Sequence, residues 1–338
     1  MPRVVAAPDK FRGTASAAEV AGAVGRAAAA CGWVCDRVPV ADGGEGTLDA
    51  VGGSVRRTRV RGPLGEVVEA EWRMLSGGAG LWGDGPTAVI EMARAAGLDL
   101  AGGPEWNDPM RASTAGVGDL INAALADRAR RVVVALGGSA TTDGGLDCLA
   151  ALRPHGRLAG VELVAACDVT TVFVDAAEEF APQKGATPAQ VALLRRRLER
   201  LAQVYLDEHG VDVTGIPGSG AAGGLGGGLA ALGATLVPGF DLMADVTELP
   251  ERIEGADLVV AGEGFLDEHS FAGKAVGGVA ELAAEAGVPV LVVAGEAFEA
   301  SPVPCVSLVE RFGRQRAMAD TLACIEEAVA EHLRKLGR

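Results

Sequence analysis

Val4-Val5-Ala6-Ala7 is followed by Ser16-Ala17-Ala18-Glu19, by an alanine-rich run that stops near Gly32, and by a second apolar-rich run over residues 33–40. The first run has the length of a buried strand. Ser16 and Glu19 have the spacing of a helix capping box, in which each residue satisfies the other's backbone N–H. Strand, helix and strand at this spacing make a βαβ unit, whose parallel crossover is right-handed in nearly every case. The same grammar returns at residues 257–261, 288–293 and 305–309, separated by helical stretches. Met318, Leu322, Ile325, Val329 and Leu333 then mark one stripe of a last helix. The two chain ends together predict one five-stranded parallel sheet.

Between these ends, residues 56–60, 66–74 and 87–92 read as a strand group joined by turns at Gly62-Pro63 and Gly83-Asp84-Gly85-Pro86. Residues 132–136 and 163–167 are further strand candidates, and Thr187-Pro188 opens a long helix with Leu194, Leu198, Leu201 and Tyr205 on one face. A chain of 338 residues exceeds the size at which one core usually keeps growing. The expected fold is therefore α/β: a Rossmann-like parallel-sheet domain from residues 1–55 and 218–338, with residues 56–217 as an inserted second α/β domain. Ligands of such open sheets bind outside the carboxyl ends of the strands.

The composition, 49% hydrophobic and 22% charged, is that of a soluble globular protein. A net charge of -15 repels a phosphate backbone and argues against nucleic-acid binding. Cysteines 31, 35, 148, 167, 305 and 324 have no zinc-ligand spacing and read as thiols of a reducing compartment. Asp9, Lys10, Arg12, Glu19 and Arg26 interrupt any signal-peptide core, and no apolar run approaches membrane-spanning length. The expectation is a cytoplasmic protein with small-molecule ligands and no membrane partner; oligomeric state is left open.

Glycine-flanked charged signatures stand at the ends of several apolar runs, where bare backbone N–H groups approach anions and carboxylates hold a metal or take a proton. Asp9-Lys10-Phe11-Arg12 follows the first strand, and Lys10 and Arg12 suit a carboxylate or phosphate. Ala41-Asp42-Gly43-Gly44-Glu45-Gly46 follows the second, making Asp42 either a base for a substrate hydroxyl or the cap of a helix near Thr47. Gly137-Gly138-Ser139-Ala140-Thr141-Thr142-Asp143-Gly144-Gly145 lacks the Gly-Lys-Ser/Thr of a Walker A loop; it is either a phosphate or substrate contact or a structural turn. Gly218-Ser219-Gly220-Ala221-Ala222-Gly223-Gly224 matches a dinucleotide pattern, but no good strand precedes it. An anion-cradling helix start fits better, with close glycine packing as the alternative. Gly262-Glu263-Gly264-Phe265-Leu266-Asp267 offers Glu263 and Asp267 to Mg²⁺, and Lys274 offers a point charge to a transferring phosphoryl group.

Taken in order, residues 7–13, 39–47, 136–145, Pro182-Gln183-Lys184-Gly185-Ala186, 220–224 and 262–274 resemble the bacterial glycerate kinase family from the first strand to about Ala294. The family's motif positions fall here on Asp9, Lys10, Asp42, Glu45, Ser139, Thr141, Asp143, Asp168, Lys184, Glu263, Asp267 and Lys274. The resemblance implies ATP-dependent, Mg²⁺-assisted phosphorylation of D-glycerate to 2-phosphoglycerate, with 3-phosphoglycerate the other possible product. Within it, Asp42, Asp267 and Lys274 are the expected catalytic residues, and Lys10, Arg12, Ser139, Thr141 and Asp168 the substrate contacts. Gly220, Ala221, Ala222, Gly223, Gly224 and Lys184 are assigned to phosphate or nucleotide, and Glu263 and Asp267 to the metal. The chain departs from the family pattern in a shortened stretch over residues 146–160, in Thr170-Thr171-Val172-Phe173-Val174 after Asp168, in His269 and in Ala115. A kinase for another small hydroxy acid, a silent nucleotide- or metabolite-binding homologue and a nicotinamide-dependent dehydrogenase are the competing readings.

Overall fold

In chain order the strands are β1 (Arg3–Pro8), β2 (Val34–Arg37), β3 (Ser54–Arg61), β4 (Val67–Leu75), β5 (Thr87–Glu91), β6 (Arg131–Ala135), β7 (Glu162–Ala166), β8 (Thr235–Val237), β9 (Leu258–Leu266), β10 (Val290–Ala297) and β11 (Cys305–Ser307). The computed structural model describes residues 1–11, 13–41, 43–44, 46–76, 85–267, 270–271, 275–298 and 301–336. The chain divides into two units, one of Met1–Asp42, Asp49–Val51 and Phe240–Arg338, the other of Gly43–Leu48 and Gly52–Gly239.

The first unit holds the expected five-stranded sheet, in the order β11-β10-β9-β1-β2 with every pairing parallel. Helices cover both faces, so the central strands are apolar on both sides: Val4, Val5, Ala6 and Ala7 are all buried. β2 lies at an edge, which accommodates its Cys35-Asp36-Arg37. Helix Ala17–Ala30 begins in the predicted capping box, Glu19 N donating to Ser16 Oγ at 3.3 Å and Ser16 N to Glu19 Oε2 at 2.9 Å. Loss of such a cap costs about 1 kcal/mol. Its buried face (Val20, Val24, Ala27, Ala28) shares a core with Cys324, Ile325, Ala328, Val329 and Leu333 of helix Thr321–Leu336. Met318 departs from the expected stripe: it lies in a separate helix, Arg314–Ala319, and is exposed, because the backbone leaves helical geometry at Asp320.

The second unit is built on a six-stranded sheet ordered β3-β4-β5-β6-β7-β8. β3, β4 and β5 form an antiparallel meander, and β5 to β8 run parallel. Trp72, Ile90, Met92, Leu120 and Ile121 fill its main core, and a satellite core gathers Phe173, Leu194, Leu198 and Tyr205 beneath helix Pro188–His209. That helix starts at Pro188, as its Thr-Pro start predicts, and Thr187 and Gln190 cap it reciprocally.

The division departs from the expected boundaries at 55/56 and 217/218. Residues 218–239 belong to the second unit, because helix Ala221–Ala231 packs into its core and β8 pairs with β7. The sequence reading missed β8, which is only three residues long and forms a sheet edge. Among the described residues, no helix is long and apolar enough to cross a membrane.

Candidate active site

The parallel sheet of the first unit has all its carboxyl ends along one edge. From β1 the chain moves outward to β2, whereas from β9 it moves the other way through β10 to β11, so the strand order reverses between β1 and β9. Open α/β sheets bind ligands at such a reversal. Asp9 and Lys10 leave the end of β1; Glu263 lies near the end of β9 and Asp267 just beyond it. Asp9 N donates to Gly262 O at 2.8 Å, tying the two strand ends together, and Lys10 N donates to Asp9 Oδ1 at 2.6 Å. Buried Ser270 fixes Asp267: Asp267 N donates to Ser270 Oγ at 3.0 Å, and that hydroxyl donates to Asp267 Oδ1 at 3.3 Å.

All four side chains are half-buried on this one edge, a cation and three carboxylates. Among the described residues no three His, Cys, Asp or Glu side chains converge as a metal cage. Mg²⁺ needs none: it takes one or two carboxylates and fills its octahedron with water and phosphate oxygens. Glu263 and Asp267, hard oxygen donors at one strand end, fit that donor set. The expected contributions of Arg12, Asp42 and Lys274, with Glu45 and His269, lie outside the described residues.

The second unit buries most of its motif residues. Lys184 is 3% exposed, and its Nζ donates to Ser139 Oγ and Thr141 O, each at 2.7 Å. Burial draws its ammonium down to about 7, against the opposing pull of Asp143. Ser139 and Thr141 are themselves buried, and Thr141 Oγ1 donates to Ala222 O. Asp143 accepts from Thr114 N, Thr114 Oγ1 and Gly145 N, and burial raises its pKa in spite of those bonds. Tyr205 Oη donates to Gly144 O at 2.9 Å. In this structure the polar atoms of Lys184, Ser139 and Thr141 bond one another or nearby carbonyls and fix the loop over residues 137–145 from within.

Gly220, Ala221, Ala222, Gly223 and Gly224 are buried as well. Gly220 N donates to Thr171 O, Ala221 N to Gly218 O and Gly224 N to Gly220 O, so these donors are spent on chain carbonyls. A Cβ on Gly223 would stand 2.0 Å from Thr141 O; the glycines are there for close packing. Asp168, by contrast, is exposed at the end of β7, where its Oδ1 accepts from Gly239 N at 2.7 Å.

The glycerate kinase family model matches residues 4–156 and 153–336, nearly the whole chain. The chain belongs to the glycerate kinase family. It is 38% identical over 333 residues to a glycerate kinase of Halalkalibacterium halodurans, covering 87% of this chain and 86% of that protein. The glycerate 2-kinase of Escherichia coli is likewise 38% identical over 333 residues, covering 87% and 85%. A solved structure from Salmonella typhimurium LT2, described as a candidate glycerate kinase 2, superposes with a TM-score of 0.84 at 31% identity and covers 99% of this chain and 98% of that one. Membership makes the chain a phosphotransferase acting on an alcohol group.

Within this glycerate kinase family member, sequence reasoning missed Glu91. It ends β5, is 2% exposed, and its Oε1 accepts from Gly46 N and Leu48 N, each at 3.0 Å. Its Oε2 accepts from Arg94 Nε at 2.9 Å. A buried carboxylate thus anchors the segment that follows the Asp42-Gly43-Gly44 motif. A lone acid at the end of an otherwise apolar strand was the available signal. The departures from the family pattern also find physical places. Phe173, in the altered segment after Asp168, is fully buried in the satellite core, and Ala115 lines a pocket of about 320 Å³ with Arg61, Ser113 and Asp147.

Proposed function

We propose that this chain phosphorylates D-glycerate with ATP in the cytoplasm, at the carboxyl edge of the five-stranded parallel sheet, and that the product is 2-phosphoglycerate. One observation carries the reading: Asp9, Lys10, Glu263 and Asp267 flank the strand-order reversal between β1 and β9 in a member of a kinase family. The name of the Escherichia coli relative, glycerate 2-kinase, supports transfer to the 2-hydroxyl.

Lys10 and Arg12 hold the carboxylate of glycerate by charge-assisted hydrogen bonds. Asp42 accepts the hydroxyl proton as that oxygen bonds to the γ-phosphorus; the bond from phosphorus to the β,γ-bridging oxygen breaks, and ADP leaves with its electron pair. Glu263 and Asp267 would hold Mg²⁺, which neutralises charge on the triphosphate when bound. Lys274 adds a point charge at the transferring group. Positioning and charge neutralisation supply most of the rate in such transfers.

A coupled ADP-release assay tests the reading, with D-glycerate compared against other short hydroxy acids and phosphorus NMR locating the new ester. Activity on D-glycerate with a 2-phosphate product is expected. Background rates on glycerate beside turnover of another acid would move the substrate assignment. Asp267→Asn should raise the Mg²⁺ concentration needed for half-maximal rate about tenfold or more, since losing even an outer-shell partner of a metal ligand costs that much; an unchanged Mg²⁺ profile would remove Asp267 from the metal.

A further inference from the structure

The chain has only 4% aromatic residues, yet two of its eight phenylalanines stand in solvent side by side. Phe265 is 42% and Phe298 64% exposed, their rings 6.2 Å apart between centroids and 13° from parallel. Phe265 lies near the end of β9, and Phe298 follows β10, its N–H donating to Leu266 O at 3.0 Å. Beside them runs a shallow groove lined by Phe11, Gly264, Phe265, Gly295, Met318 and Thr321. The Thr321 and Thr14 hydroxyls bond back to Ala317 O and Phe11 O, so neither is turned to a ligand. Glu296, the acid lining the groove, accepts from Arg314 Nη1 at 2.9 and 2.8 Å.

This groove lies on the same carboxyl edge as the acids. In the chain Phe265 stands two residues from Glu263 and two from Asp267, roughly 7 Å along extended backbone. Between Phe265 and Glu263 there is only Gly264, and a Cβ on Gly295 would come 2.4 Å from Gly264 O, so the two strands run bare and close there. A phosphotransferase needs a donor whose phosphates reach the acids while the rest of the molecule is held nearby. Of the parts of a nucleotide, the base is the planar, apolar-faced one that aromatic rings bind by stacking.

We propose that the Phe265–Phe298 pair and its groove bind the purine base of the phosphoryl-donor nucleotide. The proposal rests on the kinase reading above and deepens it. The base stacks on the exposed ring surface, and the triphosphate extends along the glycine-lined strand ends toward Glu263 and Asp267. Charge agrees with this order, since the acid lining the groove, Glu296, is paired with Arg314 and the metal-holding acids stand at the phosphate end.

The test uses the full chain, with Phe298→Ala, Phe265→Ala and Phe298→Trp. Phe298→Ala should raise KM for ATP about 5- to 140-fold, the range of base–aromatic stacking, with KM for glycerate unmoved and Phe298→Trp retaining ATP affinity. By calorimetry, wild type should bind ATP more tightly than inorganic tripolyphosphate, and the alanine substitutions should erase that difference. Turnover with an unchanged KM for ATP in both alanine variants overturns the base site and leaves the kinase reading standing. A dimer in light scattering that Phe298→Ala dissolves, with KM for ATP unchanged, also overturns it and gives the rings to a second copy of the chain. Wild type that neither turns over nor binds ATP overturns the parent reading and this one together.

Discussion

Lys184 is a cation placed where water cannot reach it, and the consequence is a pH-dependent stability. Burial holds its folded-state value to about 7, whereas an unfolded lysine keeps its proton to about 10.4. Between these two values the unfolded chain binds more protons than the folded one, so stability rises with pH across that window. Below it both states are charged and the slope from Lys184 vanishes. Asp143 acts oppositely and at lower pH: burial raises its carboxyl, so the folded state takes up a proton first and its contribution falls as pH climbs through the carboxylate range. Lys184→Met should therefore flatten the rise of melting temperature between pH 7 and 10 relative to wild type, a difference of at most a few kcal/mol. Melts in which the substitution leaves the slope intact would contradict the buried ammonium. The sequence marked Lys184 as important through its motif, but the direction a lysine points is a property of what surrounds it.

Regular elements were the most legible part of the molecule, because their signals are local. The capping box at Ser16 formed as spaced, the long helix starts at Thr187-Pro188 as read, and every strand of the five-stranded sheet lies on a stretch read as a strand. The helix Ala221–Ala231 was legible as a special place, with an anion-cradling start and close glycine packing as its two readings. A glycine cluster serves equally to admit an anion or another backbone, and here it admits the loop over residues 137–145. Gly223 combines φ of +66° with a virtual Cβ 2.0 Å from Thr141 O, so Gly223→Ala meets both backbone strain and a collision. It should destabilise by about 4 kcal/mol or more. Gly210, the C-cap of helix Pro188–His209, has φ of +72° with nothing within 4 Å of its Cβ. Gly210→Ala bears the strain alone, about 1–2 kcal/mol. Urea midpoints of the two variants measure the difference, and equal losses would refute the steric account.

At the scale of the whole molecule, each sheet carries its own core, and the chain crosses between units several times. Residues 52–239 contain all six strands of the second sheet in one continuous stretch. Expressed alone they should unfold cooperatively, with a lower midpoint because the bonds from Gly46 and Leu48 to Glu91 are gone. Residues 1–51 hold only β1 and β2 of their five-stranded sheet and should remain unfolded by circular dichroism. A non-cooperative melt of residues 52–239 would count against an independent core. By itself the sequence determined the α/β class, the parallel sheet shared by both chain ends and the acids at its strand ends, since strand period, caps and apolar runs act over a few residues. Only the tertiary structure decided that Lys184, Ser139 and Thr141 face inward, that residues 218–239 join the second sheet, and that Glu91 anchors a distant segment. Those outcomes depend on which backbone donors and carbonyls meet across long separations, and on burial, which removes water as the competing partner.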